Sequence, residues 1–404
     1  MQGSDQPLQI ALLCSGLGHI RRGHEVFARD LFSLLRPHLD ITLFKGGGEP
    51  APGEMLIDNI PRLSPLLEGV HVSVSPRWAE SVREQERQRI EAETFAYASL
   101  KPLMEGGFDV VHCLEQEVCN VIHDNRHLFR RPPKVLFANG GAIPAAFLPR
   151  CDAVQEHTAY NLARSDRRRA FLIPHGVDTT RFAPRADSPF RAAHGIPAQA
   201  LLALSVGLIG HNHKRMDHVI RELAPIEGLH LAIVGQDGPE TPAMHELARQ
   251  LMPGRVTFTA MAHGDLWQAY AAADAFVLGS LSETFGIVYV EAMAMGLPVY
   301  CTDHPNQRSI VRHGVFVDMA RPGALRSAFT ARDPRQLGAL AQQGRAWALE
   351  QYDLGQLKAE YLRHYRRLAD APSTLPAYTW RQAAGSHTRN LWRALRRLVP
   401  LPHR

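Results

Sequence analysis

Short apolar runs and longer stretches with helical spacing alternate along almost all of this chain. That alternation predicts β-α-β units, in which a parallel sheet is covered by helices on both faces. In the first half the runs predict strands at Leu8–Cys14, Asp40–Phe44, His71–Val74, Asp109–Leu114, Lys134–Ala138, Ala153–Glu156 and Ala170–Ile173. Helices are expected near His19–Leu35, Trp78–Met104 and Glu117–Asp124. The second half begins again, with strands at Leu201–Val206, His230–Val234, Val256–Thr259, Ala275–Leu278, Pro298–Cys301 and Val315–Val317. Its helices are expected near Met216–Leu223, Pro242–Gln250, Asp265–Ala272 and Gly286–Met295. Between the halves lies PHGVDTTRFAPRADSPFRAAHGIPAQA, rich in Pro, Gly and Ala and weak in periodicity, which puts the boundary near residues 176–200. The expected class is α/β, with two doubly wound parallel-sheet domains facing a central cleft. We assign residues 1–182 and 183–352 to the two domains, 353–370 to a helix crossing back to the first, and 371–404 to a basic tail. Open parallel sheets bind ligands beyond the carboxyl ends of their strands, so two facing sheets form one cleft with two half-sites.

Composition narrows the class. A length of 404 residues suits two domains, and 45% hydrophobic with 21% charged residues describes a globular chain. No apolar run approaches the roughly 20 residues of a membrane span. The opening MQGSDQPLQIALLC has no basic segment and reads as neither a secretory signal nor a transit peptide. Cys14, Cys113, Cys119, Cys151 and Cys301 are scattered, without the Cys-x-x-Cys spacing of a zinc site, and their odd number does not suit a disulfide framework. A cytoplasmic location is the expectation. The net charge of +5 is uneven: from Ala371 onward no acidic residue occurs, while Arg381, Arg389, Arg393, Arg396, Arg397 and Arg404 all fall there. The body is near neutral, which disfavours nucleic acid as a partner. In the tail, Leu391, Trp392, Leu395, Leu398 and Val399 form an apolar stripe at helical spacing beside arginines. Such a helix suits peripheral attachment to an anionic membrane surface, or equally packing back onto the first domain.

The chemistry concentrates between Ser280 and Val299. AFVLG is a strand, SLSETFG a polar loop ending in glycine, and GIVYVEAMAMG a helical run. Glu283 therefore falls in a strand-to-helix loop and Glu291 about one and a half turns inside the helix. A helix starting near Gly286 presents unpaired N–H groups to a diphosphate, and a carboxylate further along can accept hydrogen bonds from sugar or ribose hydroxyls. Taken alone, the same two glutamates read as a loop carboxylate and the polar face of a helix. CSGLGHIRRGHE also follows a strand and opens a helix, so Gly16 and Gly18 permit close approach of a phosphate or sugar. Arg21 stands where a dinucleotide fingerprint would need glycine, which disfavours a nicotinamide cofactor. His19, Arg21, Arg22 and Glu25 either contact an acceptor across the cleft or form the exposed side of the first helix.

SETFGIVYVEAMAMGLPV resembles the E-x7-E signature of the retaining glycosyltransferases of family 4, glycosyl transferases group 1, which have two Rossmann-like domains in the GT-B fold. IPHGVDTTRFAP, LSVGLIGHNHKRMD and DLWQAYAAADAFVLGS resemble the same family in the same order, so the likeness covers most of residues 170–320. It implies that Glu283 holds hydroxyls of the donor sugar, that Thr284, Phe285 and Gly286 offer backbone groups to sugar and phosphate, and that Glu291 clasps the ribose. Lys214 matches the lysine that neutralises the donor diphosphate. Leu208 stands where the family carries an arginine, and Arg215, His211 or His213 are the available substitutes. Asn139 stands where many relatives have a histidine, with His112 and Glu115 as nearby acceptor-side alternatives or strand-end structural residues. The resemblance implies transfer of a hexosyl group with retention from a UDP- or GDP-sugar to a glycan, lipid-linked or small-molecule acceptor. No D-x-D pair stands at a strand end, so no metal and no cofactor is expected. Rival readings are a sugar-nucleotide or glycan-binding protein without transfer activity, a sugar-nucleotide epimerase, and a phosphorylase.

Overall fold

Gln9–Cys14 (β1) alternates with a period of two, sending Ile10, Leu12 and Cys14 into one core and Ala11 and Leu13 into another. A strand buried on both faces belongs in the middle of a parallel sheet. The computed structural model describes residues 7–20, 23–69, 80–211, 213–331 and 333–372. In it, Asp40–Lys45 (β2), Glu54–Leu56 (β3), Val110–Cys113 (β4), Lys134–Ala138 (β5), Ala153–Glu156 (β6) and Ala170–Leu172 (β7) join β1 in one sheet. Its order is β3-β2-β1-β4-β5-β6-β7 and every pairing is parallel.

The second sheet repeats the design. Leu201–Val206 (β8), Leu229–Val234 (β9), Val256–Thr259 (β10), Ala275–Val277 (β11), Val299–Thr302 (β12) and Val315–Val317 (β13) are ordered β10-β9-β8-β11-β12-β13, again wholly parallel. Leu202, Leu204 and Val206 fill one core and Ala203 the other. The expected class, two doubly wound α/β domains, is the one observed.

Departures from the predicted elements have local causes. Glu54–Leu56 is too short and polar to register as an apolar run; its Glu54 carboxylate pairs with Lys45 and Arg29. The first helix starts at Gly23, not His19, because Gly18 turns the chain at φ +96° and the N–H groups of His19 and Ile20 both donate to the Gly16 carbonyl. The expected strand His71–Val74, the first residues of the helix expected at Trp78, and the basic tail beyond Pro372 lie outside the described residues. Among the described residues, no helix is long and apolar enough to cross a membrane.

The chain passes between the sheets twice, and the two crossings are paired. Val177 N–H donates to the Tyr352 carbonyl at 2.8 Å, and Leu354 N–H donates to the Val177 carbonyl at 3.1 Å. The helix Leu354–Asp370 then packs Leu357, Tyr361 and Tyr365 into the core beside β1. Its hydroxyls satisfy buried polar groups of the first sheet: Tyr361 meets Gln155 and Tyr365 meets His112 Nδ1, each at 2.8 Å. Burial pushes His112 down to about 3, so it is a neutral core imidazole. Tyr365→Phe removes its partner, and a lost buried hydrogen bond of this kind costs about 1–3 kcal/mol. Urea unfolding should show a lower midpoint at unchanged slope; an unchanged midpoint would mean that the Tyr365–His112 bond anchors nothing.

Candidate active site

In both sheets the chain runs outward from a central strand, returns, and runs outward the other way. The reversals fall between β1 and β4 and between β8 and β11. Strand-end loops diverge at such switch points and leave a crevice for ligands. The loops after β8 and β11 meet there. Lys214 Nζ lies 2.7 Å from Glu283 Oε1, His213 Nε2 lies 3.0 Å from Glu283 Oε2, and Ser280 Oγ donates to Oε1 at 2.6 Å. From the first turn of the helix Pro305–Val311, which follows β12, Asn306 and Gln307 each donate a side-chain N–H to the Glu283 carbonyl at 2.8 Å. Glu283 is buried, which by itself raises a carboxyl pKa, yet His213 and Lys214 more than offset this and hold it at about 2. It is a buried carboxylate kept charged by its partners.

Gly286 (φ +78°) turns the chain into the helix Ile287–Ala294, where a Cβ would lie 2.7 Å from the Tyr289 ring. Glu291, 2% exposed, is engaged at both oxygens: His263 Nε2 donates to Oε1 at 2.8 Å and Tyr270 Oη to Oε2 at 2.7 Å. Burial pulls the His263 pKa down, but the hydrogen bond to Glu291 and the nearby negative charges together outweigh this and leave it raised. Asp30, on the first-domain helix Gly23–Leu35, contributes to the same upward pull. The Thr284 carbonyl accepts from Asn306 at 3.0 Å and from first-domain Asn161 at 3.5 Å. Phe285 is buried, its ring edge-on to His175 at 4.9 Å. Arg215, in a left-handed conformation (φ +49°), donates to the carbonyls of Gly279 and Met319 and so staples the loop. Leu208 is half-exposed.

At the first switch point a carboxylate again ties two loops together. Glu115 Oε1 accepts from Ser15 N–H at 2.9 Å and Ser15 Oγ at 3.0 Å, tying the loop after β4 to the loop after β1. Gly16 and Gly18 face the protein's own groups: a Cβ would sit 2.7 Å from Glu25 Oε1 at the first and 2.1 Å from the Gly47 carbonyl at the second. His19 donates to Asn59 at 3.2 Å and borders a cavity of about 330 Å³ that Arg62 and Ser64 also line. Arg62 is paired with buried Glu91. Asn139 is buried and fully used in its own loop, bonded to Glu156 and to both backbone groups of Ile143. Arg22 lies outside the described residues.

Lys214 and Glu283 are thus brought together, Glu291 stands on the adjoining helix, and Glu115 and His19 occupy the opposite half. Asn139 and His112 are structural in their contacts. His263, Tyr270, Ser280, Asn306 and Gln307 complete the second half-site and carried no individual signal, because their partners are distant in sequence.

Comparison with known proteins agrees with this architecture. Residues 187–328 match the family model described as glycosyl transferases group 1. The chain is 34% identical over 171 residues to mannosylfructose-phosphate synthase from Agrobacterium fabrum, covering 38% of this chain and 37% of that protein. It is 36% identical over 163 residues to D-inositol 3-phosphate glycosyltransferase from Nocardia farcinica, covering 37% and 36%. The matched part therefore spans little more than a third of these curated relatives. Among solved structures, sucrose-phosphate synthase from Thermosynechococcus elongatus superposes with a TM-score of 0.74 at 21% identity, over 89% of this chain and 99% of that one. Anabaena Alr3699/HepE in complex with UDP-glucose superposes at 0.70 and 15% identity, over 89% and 100%. The fold is GT-B, and residues 187–328 are the part that matches the glycosyl transferases group 1 model.

The environment of Glu283 predicts a pH dependence. Its pKa falls from 4.5 to about 2 on folding, so its contribution is fully present above pH 4.5 and is lost as pH falls toward 2. The size is on the order of 3 kcal/mol. Urea unfolding of the wild type and Glu283→Gln should show a stability difference that shrinks through that window; parallel pH profiles would refute the assignment.

Proposed function

We propose that the chain is a glycosyltransferase that moves a hexosyl group from a UDP- or GDP-sugar to a hydroxyl of a glycan, lipid-linked or small-molecule acceptor, with retention of anomeric configuration. The observation that carries this reading is the Lys214–Glu283 pair, 2.7 Å apart at the switch point of the second sheet and beside the start of the helix Ile287–Ala294. A sugar diphosphate offers matching chemistry: its phosphates take the ammonium and the helix N-terminus, while its sugar hydroxyls donate to the carboxylate. As the sugar–phosphate bond breaks, negative charge grows on the leaving diphosphate, and Lys214 with the helix dipole stabilises it. No metal ion is needed for that step. Glu291 uses one lone pair on each oxygen for His263 and Tyr270, which leaves about two positions for ribose hydroxyls.

Retention fits the first half-site. If the departing phosphate accepts the acceptor's proton on the same face of the sugar, no histidine base is required, and Asn139 is free to hold its loop. The cavity beside His19 and Arg62, about 330 Å³, is of a size for a small acceptor group. The UDP-glucose bound by the Anabaena neighbour supports the donor class. Leu208 favours a second reading: with an apolar side chain in place of the expected clamp arginine, the protein binds sugar nucleotides without transferring the sugar.

A thermal-shift screen over UDP-, GDP- and ADP-sugars should single out one base, since a ligand at 100 times its Kd stabilises by about 2.7 kcal/mol. With that donor, Glu291→Ala should weaken binding, and Lys214→Ala should lower turnover roughly 10²–10³-fold, the scale of losing one transition-state charge partner. Transfer should persist in excess chelator. Unaltered binding and transfer in both variants would sink the assignment, and donor binding without slow donor hydrolysis in the wild type would favour the second reading.

A further inference from the structure

We propose that Cys14, His24 and Glu115 form a binding site for a zinc-type divalent cation at the switch point of the first sheet. The Cys14 thiol, a ring nitrogen of His24 and a carboxylate oxygen of Glu115 all lie within 4.8 Å of one another. They come from three separate elements: the last residue of β1, the second residue of the helix Gly23–Leu35, and the loop after β4. The alternation of β1 sends Cys14 into the core that this helix covers, so thiol and imidazole share one layer. Glu115 is oriented by the two bonds that its Oε1 accepts from Ser15, as ligating carboxylates are usually held by outer partners.

A further atom points to an occupant. Glu115 Oε2 is buried and has no hydrogen-bond partner. His24 Nε2 faces Glu115 Oε1 at 3.7 Å, an ion-pair contact longer than a hydrogen bond. Buried polar atoms without partners are uncommon and require an explanation. A packing role for Cys14, the Ser15 bonds to Oε1 and the His24–Glu115 contact leave Oε2 unexplained. A divalent ion held by the three side chains supplies its partner.

The chemistry selects the ion. A thiolate and a carboxylate with a neutral imidazole carry two negative charges, which a divalent cation cancels, so the buried complex is neutral. Sulfur and imidazole favour zinc over magnesium or calcium. Zinc bonds of about 2.0–2.3 Å in a tetrahedron place ligand atoms roughly 3.3–3.5 Å apart. The His24–Glu115 separation of 3.7 Å is already close to that, and the three ligand atoms, all within 4.8 Å of one another, draw together on binding. Three protein ligands leave the fourth position for water. The transfer chemistry proposed above does not use this site, so either reading can fail without the other.

The test uses the full chain, stripped of metal with a chelator. Cobalt(II), a spectroscopic stand-in for zinc, should bind in a one-to-one complex with a sulfur-to-metal charge-transfer band in the near ultraviolet, and zinc should displace it with loss of that band. Cys14→Ser should abolish the band. Ser15→Ala, which leaves all three ligands in place, should weaken zinc binding about tenfold or more. His24→Gln, at a partly exposed position, serves if the cysteine variant fails to fold, and should also remove tight binding. Absence of the charge-transfer band in the wild type overturns the proposal, as does zinc affinity unchanged in the His24 variant.

Discussion

A single buried carboxylate organises the second half of this molecule. Removing Glu283 from water without partners would cost several kcal/mol, so its folded position requires Lys214, His213 and Ser280 to converge on it. These come from the loops after β8 and β11, while Asn306 and Gln307, after β12, fix the Glu283 backbone. Three strand-end loops are thereby locked to one point. The locked loop ends at Gly286, whose left-handed conformation starts the helix that carries Glu291. Satisfying one charge sets the geometry of the whole half-site.

The first half obeys the same topology with gentler electrostatics. There too a carboxylate after one strand, Glu115, ties down the loop after its neighbour, but through a serine hydroxyl and an amide. The two halves are joined by stacked rings. Phe27 stands edge-on to His175 at 4.4 Å, His157 stacks on His175 at 3.8 Å, and His175 meets Phe285 of the second domain at 4.9 Å. Burial pushes His157 to about 3 and His175 well below its ordinary value. Both therefore act at neutral pH as flat, uncharged surfaces. The loop that bears Glu283 is keyed into the first domain through Phe285, so the half-sites are held together by packing as well as by the paired crossings at Val177 and Tyr352.

Most of the fold was legible because interior parallel strands are apolar on both faces: β5, β6 and β8 fall where the runs predicted, as do the edge strands β10 and β13, which still carry Val and Phe. Glu54–Leu56 was hidden because an edge strand paired along one side needs no apolar run. In the site, Glu283 and Glu291 were expected from a motif confined to one loop and helix, and Lys214 from a second motif in the loop after β8. Their supports were not, because the contacts that place His263 on Glu291 or Asn306 on Glu283 span tens of residues and leave no local periodicity. Arg215 shows the complementary error: its charge suggested a phosphate, but a left-handed backbone turns its side chain onto two carbonyls. The glycines at 16 and 18 suggested room for a ligand, and that room is taken by Glu25 and Gly47.

The Glu291 end of the site follows from these supports. Glu291 is satisfied by His263 and Tyr270, so its carboxylate orientation is fixed before any ligand arrives. His263 in turn feels Asp30, which belongs to the first domain. A charge from one domain thus bears on the group that orients Glu291 in the other. The two halves are coupled electrostatically near Glu291 and by aromatic packing at Phe285, and both couplings act on the loop and helix between Ser280 and Ala294. The nucleotide sugar proposed above would be held by a segment on which both domains bear.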